Sequence, residues 1–145
     1  MKAHIAANPN AGRPTILCWG LSSADRGKLD GMAASFGMRI VPVMPTDAAK
    51  TVACLLGEAE GGGAARALAP DAYPAAALFA NFRPRDLDTL LDLLHQAQVE
   101  IPLKAAATAT NRAWAFDELL GHLAAERAAF ARQAEAEQAN KPPKA

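Results

Sequence analysis

Short apolar runs alternate with stretches of helical period along most of this chain, and that alternation limits the folds open to it more than any other feature. Thr15 to Leu21 is an apolar run of strand length. Ser22 follows as a helix N-cap, with Asp25 three residues on in an acidic variant of the capping box. Leu29, Met32, Ala33 and Phe36 then recur at i, i+3, i+4 and i+7, and Gly37 stops the helix. Arg39 to Met44 predicts a second strand, in which Pro42 removes a ladder donor and points to a sheet edge or a strand end. A weaker helix spans about Asp47 to Leu56. Ala75 to Phe82 reads as a third strand, and Pro84 opens a helix carrying Leu87, Leu90, Leu91 and Leu94. Val99 to Ala107 supplies a fourth strand, again with an internal proline, Pro102. Phe116, Leu119, Leu120 and Leu123 mark a last amphipathic helix, continued by an Ala/Glu/Arg/Gln-rich stretch to Gln138.

Four strands alternating with four helices predict an α/β fold of mostly parallel strands joined by right-handed crossovers. A ferredoxin-like α+β arrangement is the alternative. The two halves, about 15–57 and 75–130, overlay at an offset of 61, with Leu17 on Leu78, Asp25 on Asp86 and Leu29 on Leu90. A one-residue adjustment brings Val41-Pro42-Val43 onto Ile101-Pro102-Leu103, the trace expected of two similar βαβα units. Residues 58–74, with Gly61-Gly62-Gly63, read as the linker between them, inside a single domain over 15–130. Residues 1–14 read as a disordered head, and 131–145 as a helix extension with a disordered tail. With a spatial strand order of 2-1-3-4, the turns Gly20–Ser22 and Asn81–Arg83 would flank a switch point of the kind at which open sheets hold ligands.

Composition narrows the function classes. Of 145 residues, 36 are Ala and only 29 are Leu, Ile, Val or Phe, so the core is thin for the length, while a formal net charge of zero favours a folded chain. The balance of 15 basic and 15 acidic residues argues against bulk nucleic acid or an anionic membrane as the partner. The first fifteen residues hold no apolar run of the secretory type, and no stretch approaches the length of a spanning helix. Cys18 and Cys54 lie 36 residues apart with neither a CxxC nor a nearby His, which fits reduced thiols and a cytoplasmic location.

The segment Pro102-Leu103-Lys104-Ala105, followed by Thr108, Asn111 and Trp114 at short spacings and by the paired Leu119-Leu120, resembles a family of small uncharacterised bacterial and archaeal proteins known as domain of unknown function 3783. The resemblance covers about Ala76 to Glu126. It implies a strand and helix leading to this stretch and a helix after it, and it carries no known activity. Ala115 departs from the pattern, which tends to place a hydroxyl residue there as a helix cap, although Glu118 three residues on preserves half of a capping box.

Within that segment, Lys104, Ala106 and Thr108 share one face of an extended strand and Leu103, Ala105 and Ala107 the other. Lys104 and Thr108 are roughly 13 Å apart along a straight strand, beyond direct contact. In one reading Lys104 neutralises a small anion or nucleotide while Thr108, Thr110 and Asn111 offer hydrogen bonds beside the last helix N-terminus, with Trp114 and the turns at Ser22 and Arg83 adding to the pocket. In the other, Thr and Asn satisfy turn and cap groups, Trp114 packs on the sheet and Lys104 snorkels at an edge. Elsewhere the chain shows no catalytic, metal or cofactor signature. His4, His95 and His122 make no HxxxH or HExxH spacing, the glycine triplet lacks the Gly-Lys-Ser/Thr of a phosphate loop, and Asp86, Asp88 and Asp92 read as a solvated helix face. Cys18 sits in a buried strand, where a raised pKa would leave it inert. The expectation is a non-catalytic binding or interaction module, meeting an unknown protein partner or a second copy through the sheet or the helix from Phe116 to Gln138. Binding of a small anion, with or without enzymatic activity, is the alternative.

Overall fold

The computed structural model describes residues 12–60 and 67–140. The N-terminal part of the expected disordered head, the Gly61-Gly62-Gly63 stretch and residues 141–145 lie outside the described residues. The elements run β1 (Thr15–Trp19), α1 (Ser23–Phe36), β2 (Arg39–Pro42), a 3-10 turn (Pro45–Asp47), α2 (Val52–Leu55), β3 (Ala76–Ala80), α3 (Pro84–Gln96), β4 (Leu103–Ala106), a second 3-10 turn (Asn111–Ala113) and α4 (Phe116–Asn140). The strands form one sheet in the order β2-β1-β3-β4, and the class is α/β. The strands are shorter than their apolar runs. Pro42 ends β2 and Pro102 stands just before β4, so neither proline interrupts a ladder. The expected helix from Asp47 to Leu56 is reduced to a 3-10 turn and the single turn of α2.

Two of the three strand pairings are parallel, as expected, and the central one is not. β1 pairs with β2, and β3 with β4, in parallel, but the central pair β1–β3 is antiparallel, with Leu17 opposite Leu78 at its midpoint. The described parts of the connection from β2 to β3 reach both ends of the sheet. Arg112 reaches Glu58 near one end of the sheet, whereas the Leu68 N–H donates to the Pro45 carbonyl at the other end. β3 therefore starts where β2 finishes. The turns at Gly20–Ser22 and Asn81–Arg83 consequently lie at opposite ends of the sheet and flank no common crevice.

Two layers of helix cover the sheet. Ile16, Cys18, Ala77 and Phe79 face α1 and α3 with Leu29, Leu90, Leu94, Val99 and Ile101, while Leu17, Trp19, Leu78 and Leu103 face α2 and α4 with Val52, Phe116, Leu119 and Leu120. All five residues of both β1 and β3 are buried, as a strand covered on both faces requires.

The offset of 61 reappears in backbone geometry. β1 and α1 map onto β3 and α3, the left-handed residue Gly20 (φ 71°) maps onto Asn81 (φ 67°), and Gly37 (φ 60°) maps onto Gln98 (φ 60°). Both helices end in the same motif, with the Met38 N–H donating to the Ala33 carbonyl and the Val99 N–H to the Leu94 carbonyl. The second strands do not follow the sequence overlay. Thr15 pairs with Arg39 but Ala76 pairs with Leu103, so the sheet register needs an offset of 64 there and not the 60 that superimposes the prolines. Glu100-Ile101-Pro102 is the added length, and it buries Ile101.

Candidate functional site

The β4–α4 turn is built around Asn111, which is 7% exposed. Its Oδ1 accepts from the Thr108 N–H at 2.8 Å, its Nδ2 donates to the Ala106 carbonyl at 3.1 Å, and its own N–H donates to Thr108 Oγ1 at 3.0 Å. Every polar atom of the side chain is thus committed to the backbone between the strand and the helix. Next to it, Arg112 donates to Glu58 at 3.0 Å and to Asn81 Oδ1 at 2.9 Å, tying the turn to the connection after α2 and to the end of β3. Asn81 in turn donates to the Arg13 carbonyl at 3.3 Å.

The start of α4 shows how the chain manages without a hydroxyl cap at Ala115. The Ala115 N–H donates to Glu118 Oε1 at 3.2 Å, the surviving half of the capping box. The Phe116 and Asp117 N–H groups donate to the carbonyls of Lys50 and Ala48, both at 2.9 Å, and an isolated bridge joins Thr51 to Ala115. Helix N-termini leave donors unmatched, and here the loop before α2 supplies the acceptors. Sequence reasoning missed this partner because nothing in Ala48-Ala49-Lys50 marks it: the contact is made by backbone carbonyls.

The residues proposed from sequence for an anion site do not converge. Lys104 is exposed on the α3 side of edge strand β4, beside His95, Glu100 and Arg127. Trp114 lies towards the opposite face, stacked on His122 with ring centroids 4.3 Å apart and planes inclined at 17°. Thr108 and Asn111 bond each other, and Thr110 is exposed at the start of the second 3-10 turn. Arg83 stands at the N-cap of α3, its Nε 2.9 Å from Asp86 Oδ2 and its side chain 84% exposed. Ser22 caps α1 at the far end of the sheet, accepting from the Asp25 N–H at 3.1 Å. Among the described residues no group of three or more His, Cys, Asp or Glu could hold a metal ion. Both cysteines are free thiols. Burial pushes the Cys18 thiol up to about 12, with Arg26 opposing the rise and Asp30 adding to it, so this group remains a protonated thiol in the core and not a nucleophile.

A long stretch of α4 is exposed. Its inward stripe, Phe116, Leu119, Leu120 and Leu123, packs on the sheet, and the same helical face continues through Arg127, Phe130 and Ala134 at alternating spacings of four and three. Every residue from 125 to 138 is exposed, and Phe130 is 71% exposed. Between this overrun and the sheet margin lies a groove of about 510 Å³, walled by Pro74, Leu103, Ala124, Ala128, Phe130 and Ala131. Upstream, Gly121 lets Tyr73 approach α4, since a Cβ there would stand 3.3 Å from its hydroxyl. Among the described residues no helix is long and apolar enough to cross a membrane.

No curated protein and no solved structure matches the chain. The family model described as "Domain of unknown function (DUF3783)" matches residues 76–130, so the part of the chain from β3 into the outer half of α4 resembles that family.

Proposed function

We propose that this protein is a non-catalytic interaction module that grips a protein partner, a second copy of itself included, in the groove between the overrun of α4 and the edge of the sheet. The observation that carries the reading is Phe130: a large apolar side chain on the core-facing stripe of a helix, left 71% exposed at the margin of the sheet. A partner that supplied the missing surface would bury an aromatic ring and a run of alanines at once, and buried aromatic anchors dominate interface energetics. The stretch 124–138 is rich in Ala, Glu, Arg and Gln, all strong helix formers. It is therefore presented already folded, which lowers the ordering cost of association.

The commitment of Asn111, Arg112 and the first α4 donors to intrachain bonds supports a structural role for the β4–α4 turn, as the brace that fixes the direction in which α4 leaves the sheet. Two free thiols fit work in a reducing cytoplasm. The shared left-handed positions at an offset of 61 favour descent of the two strand–helix–strand units from one duplicated piece. Light scattering over a range of concentrations, together with capture from a lysate of the source cell, compares wild type with Phe130→Ser. Association that weakens in the variant is the expected result. A strict monomer that captures nothing, in both proteins, refutes the reading.

A further inference from the structure

At the sheet end where β1 and β2 finish together there is a crevice of about 230 Å³, walled by Leu21, Val43, Met44 and three prolines, with Trp19 and Arg26 also in its lining. Open sheets hold ligands at the carboxyl ends of parallel strands, and the first helical turn of the 14-residue α1 lies beside it, with its partial positive charge. Two of the lining residues carry a buried side-chain nitrogen without a hydrogen-bond partner among the described residues: Nε1 of Trp19, a residue only 2% exposed, and Nε of Arg26. Both are donors. Buried donors are almost always matched, so unmatched donors on two residues that line one crevice point to a missing acceptor nearby. No acidic side chain is in the lining, and Cys18, which is, remains a neutral thiol. The corresponding end of β3 and β4 is different, because there Asn81, Arg112 and the Arg13 carbonyl bond one another and occupy the space.

We propose that this crevice binds a small aliphatic carboxylate, its charged end toward Arg26 and the start of α1 and its carbon chain against Leu21, Val43 and Met44. The class follows from the walls. A single guanidinium matches a carboxylate bidentately, mostly apolar walls suit a short hydrocarbon, and the volume equals about seven or eight waters at ~30 Å³ each. Met44, 54% exposed, gives one wall an adaptable side chain.

The two tryptophans make the test direct. The indole N–H signal of Trp19 is assigned in proton–nitrogen NMR spectra by comparison with Trp114→Phe, and the full chain is titrated with sodium butyrate, n-butanol, n-butylammonium and inorganic phosphate. Butyrate is expected to move the Trp19 signal saturably, with n-butanol and n-butylammonium leaving it in place. Arg26→Gln should weaken butyrate by about tenfold or more, the scale of a lost charge-assisted contact, and Arg26→Lys, which keeps the charge, should retain part of the affinity. Should Arg26→Gln fail to fold, Arg26→Lys and the four-ligand comparison decide. The proposal falls if butyrate leaves the Trp19 signal unmoved, if n-butanol moves it equally, if phosphate binds in preference to butyrate, or if folded Arg26→Gln binds butyrate as wild type does.

Discussion

Replacing Asn111 with alanine tests whether the β4–α4 turn is a brace. The substitution deletes two hydrogen bonds, from the Thr108 N–H and to the Ala106 carbonyl, and leaves both backbone groups unmatched, while the bond from the backbone N–H of residue 111 to Thr108 Oγ1 survives. The side chain is nearly buried, so water replaces these bonds only in part. At about 1–2 kcal/mol for each stranded group the loss is about 2–4 kcal/mol. For a chain of this size that corresponds to a midpoint lower by about 6–12 °C. Asn111→Asp keeps the acceptor toward Thr108 but sets a carboxylate oxygen against the Ala106 carbonyl, and it is expected to rescue nothing at neutral pH. Thermal unfolding followed by circular dichroism reads both variants, with urea unfolding as the isothermal check. An Asn111→Ala protein within about 0.5 kcal/mol of wild type would refute the assignment of these bonds as the brace and return the side chain to the list of free ligand-binding groups.

Further outcomes follow from the same geometry. Phe130→Ser, at an exposed position, should leave the unfolding midpoint unchanged to within about 0.5 kcal/mol while reducing association, and a large loss of stability would mean that the ring is buried in the working state of the monomer. Gln98 holds a left-handed conformation at the end of α3 where Gly37 serves α1. Gln98→Gly is therefore expected to stabilise by about 0.5–1 kcal/mol, and destabilisation in urea would count against the strain. Cys18 should resist a thiol reagent at pH 8, where a pKa of about 12 leaves about one thiolate in 10,000, while half-buried Cys54 reacts; equal rates would disprove the burial. Because the folded-state pKa lies above the ordinary thiol value, the contribution of Cys18 is fully present below about pH 9 and is lost as pH rises towards 12. Cys18→Ala should flatten that part of the stability profile.

Much of the architecture was legible because its signals are local. Ser22 and Gly37 bound α1, Pro84 opens α3, and Leu29, Leu90 and Leu94 are buried where their period places them. The face assignment of Leu103, Ala105 and Ala107 against Lys104 and Ala106 also holds. The parallel pairing within each unit was legible, but the antiparallel direction of the central pair was not. Nothing in the composition of an apolar run says which way it points, and the long connection from residue 43 to 75 can end at either edge of the sheet. The candidate ligand residues failed to converge for the same reason, since the antiparallel centre puts Ser22 a full strand length from Arg83. The acceptors that replace a hydroxyl cap at Ala115 were invisible because carbonyls carry no sequence signature. The α4 overrun was half visible: the stripe through Phe130 can be counted along the sequence, but the place where the sheet beneath it stops cannot.

The antiparallel centre also bears on the order in which the chain can assemble. Within each strand–helix–strand unit the paired strands are close in sequence, Thr15 with Arg39 and Ala76 with Leu103, whereas the ladder joining the units links Trp19 to Ala76 and Thr15 to Ala80. Closing a loop costs more entropy as it lengthens, by about 0.6 kcal/mol for each doubling, so each unit can condense by itself before the central ladder zips. Neither unit is self-sufficient, however, since both cores borrow side chains across that ladder, Ile16 with Phe79 on one face and Leu17 with Leu78 on the other. The central seam is thus the last part to form and the first whose loss would expose two apolar edges, and exchange of units between neighbouring molecules is the misassembly this topology invites.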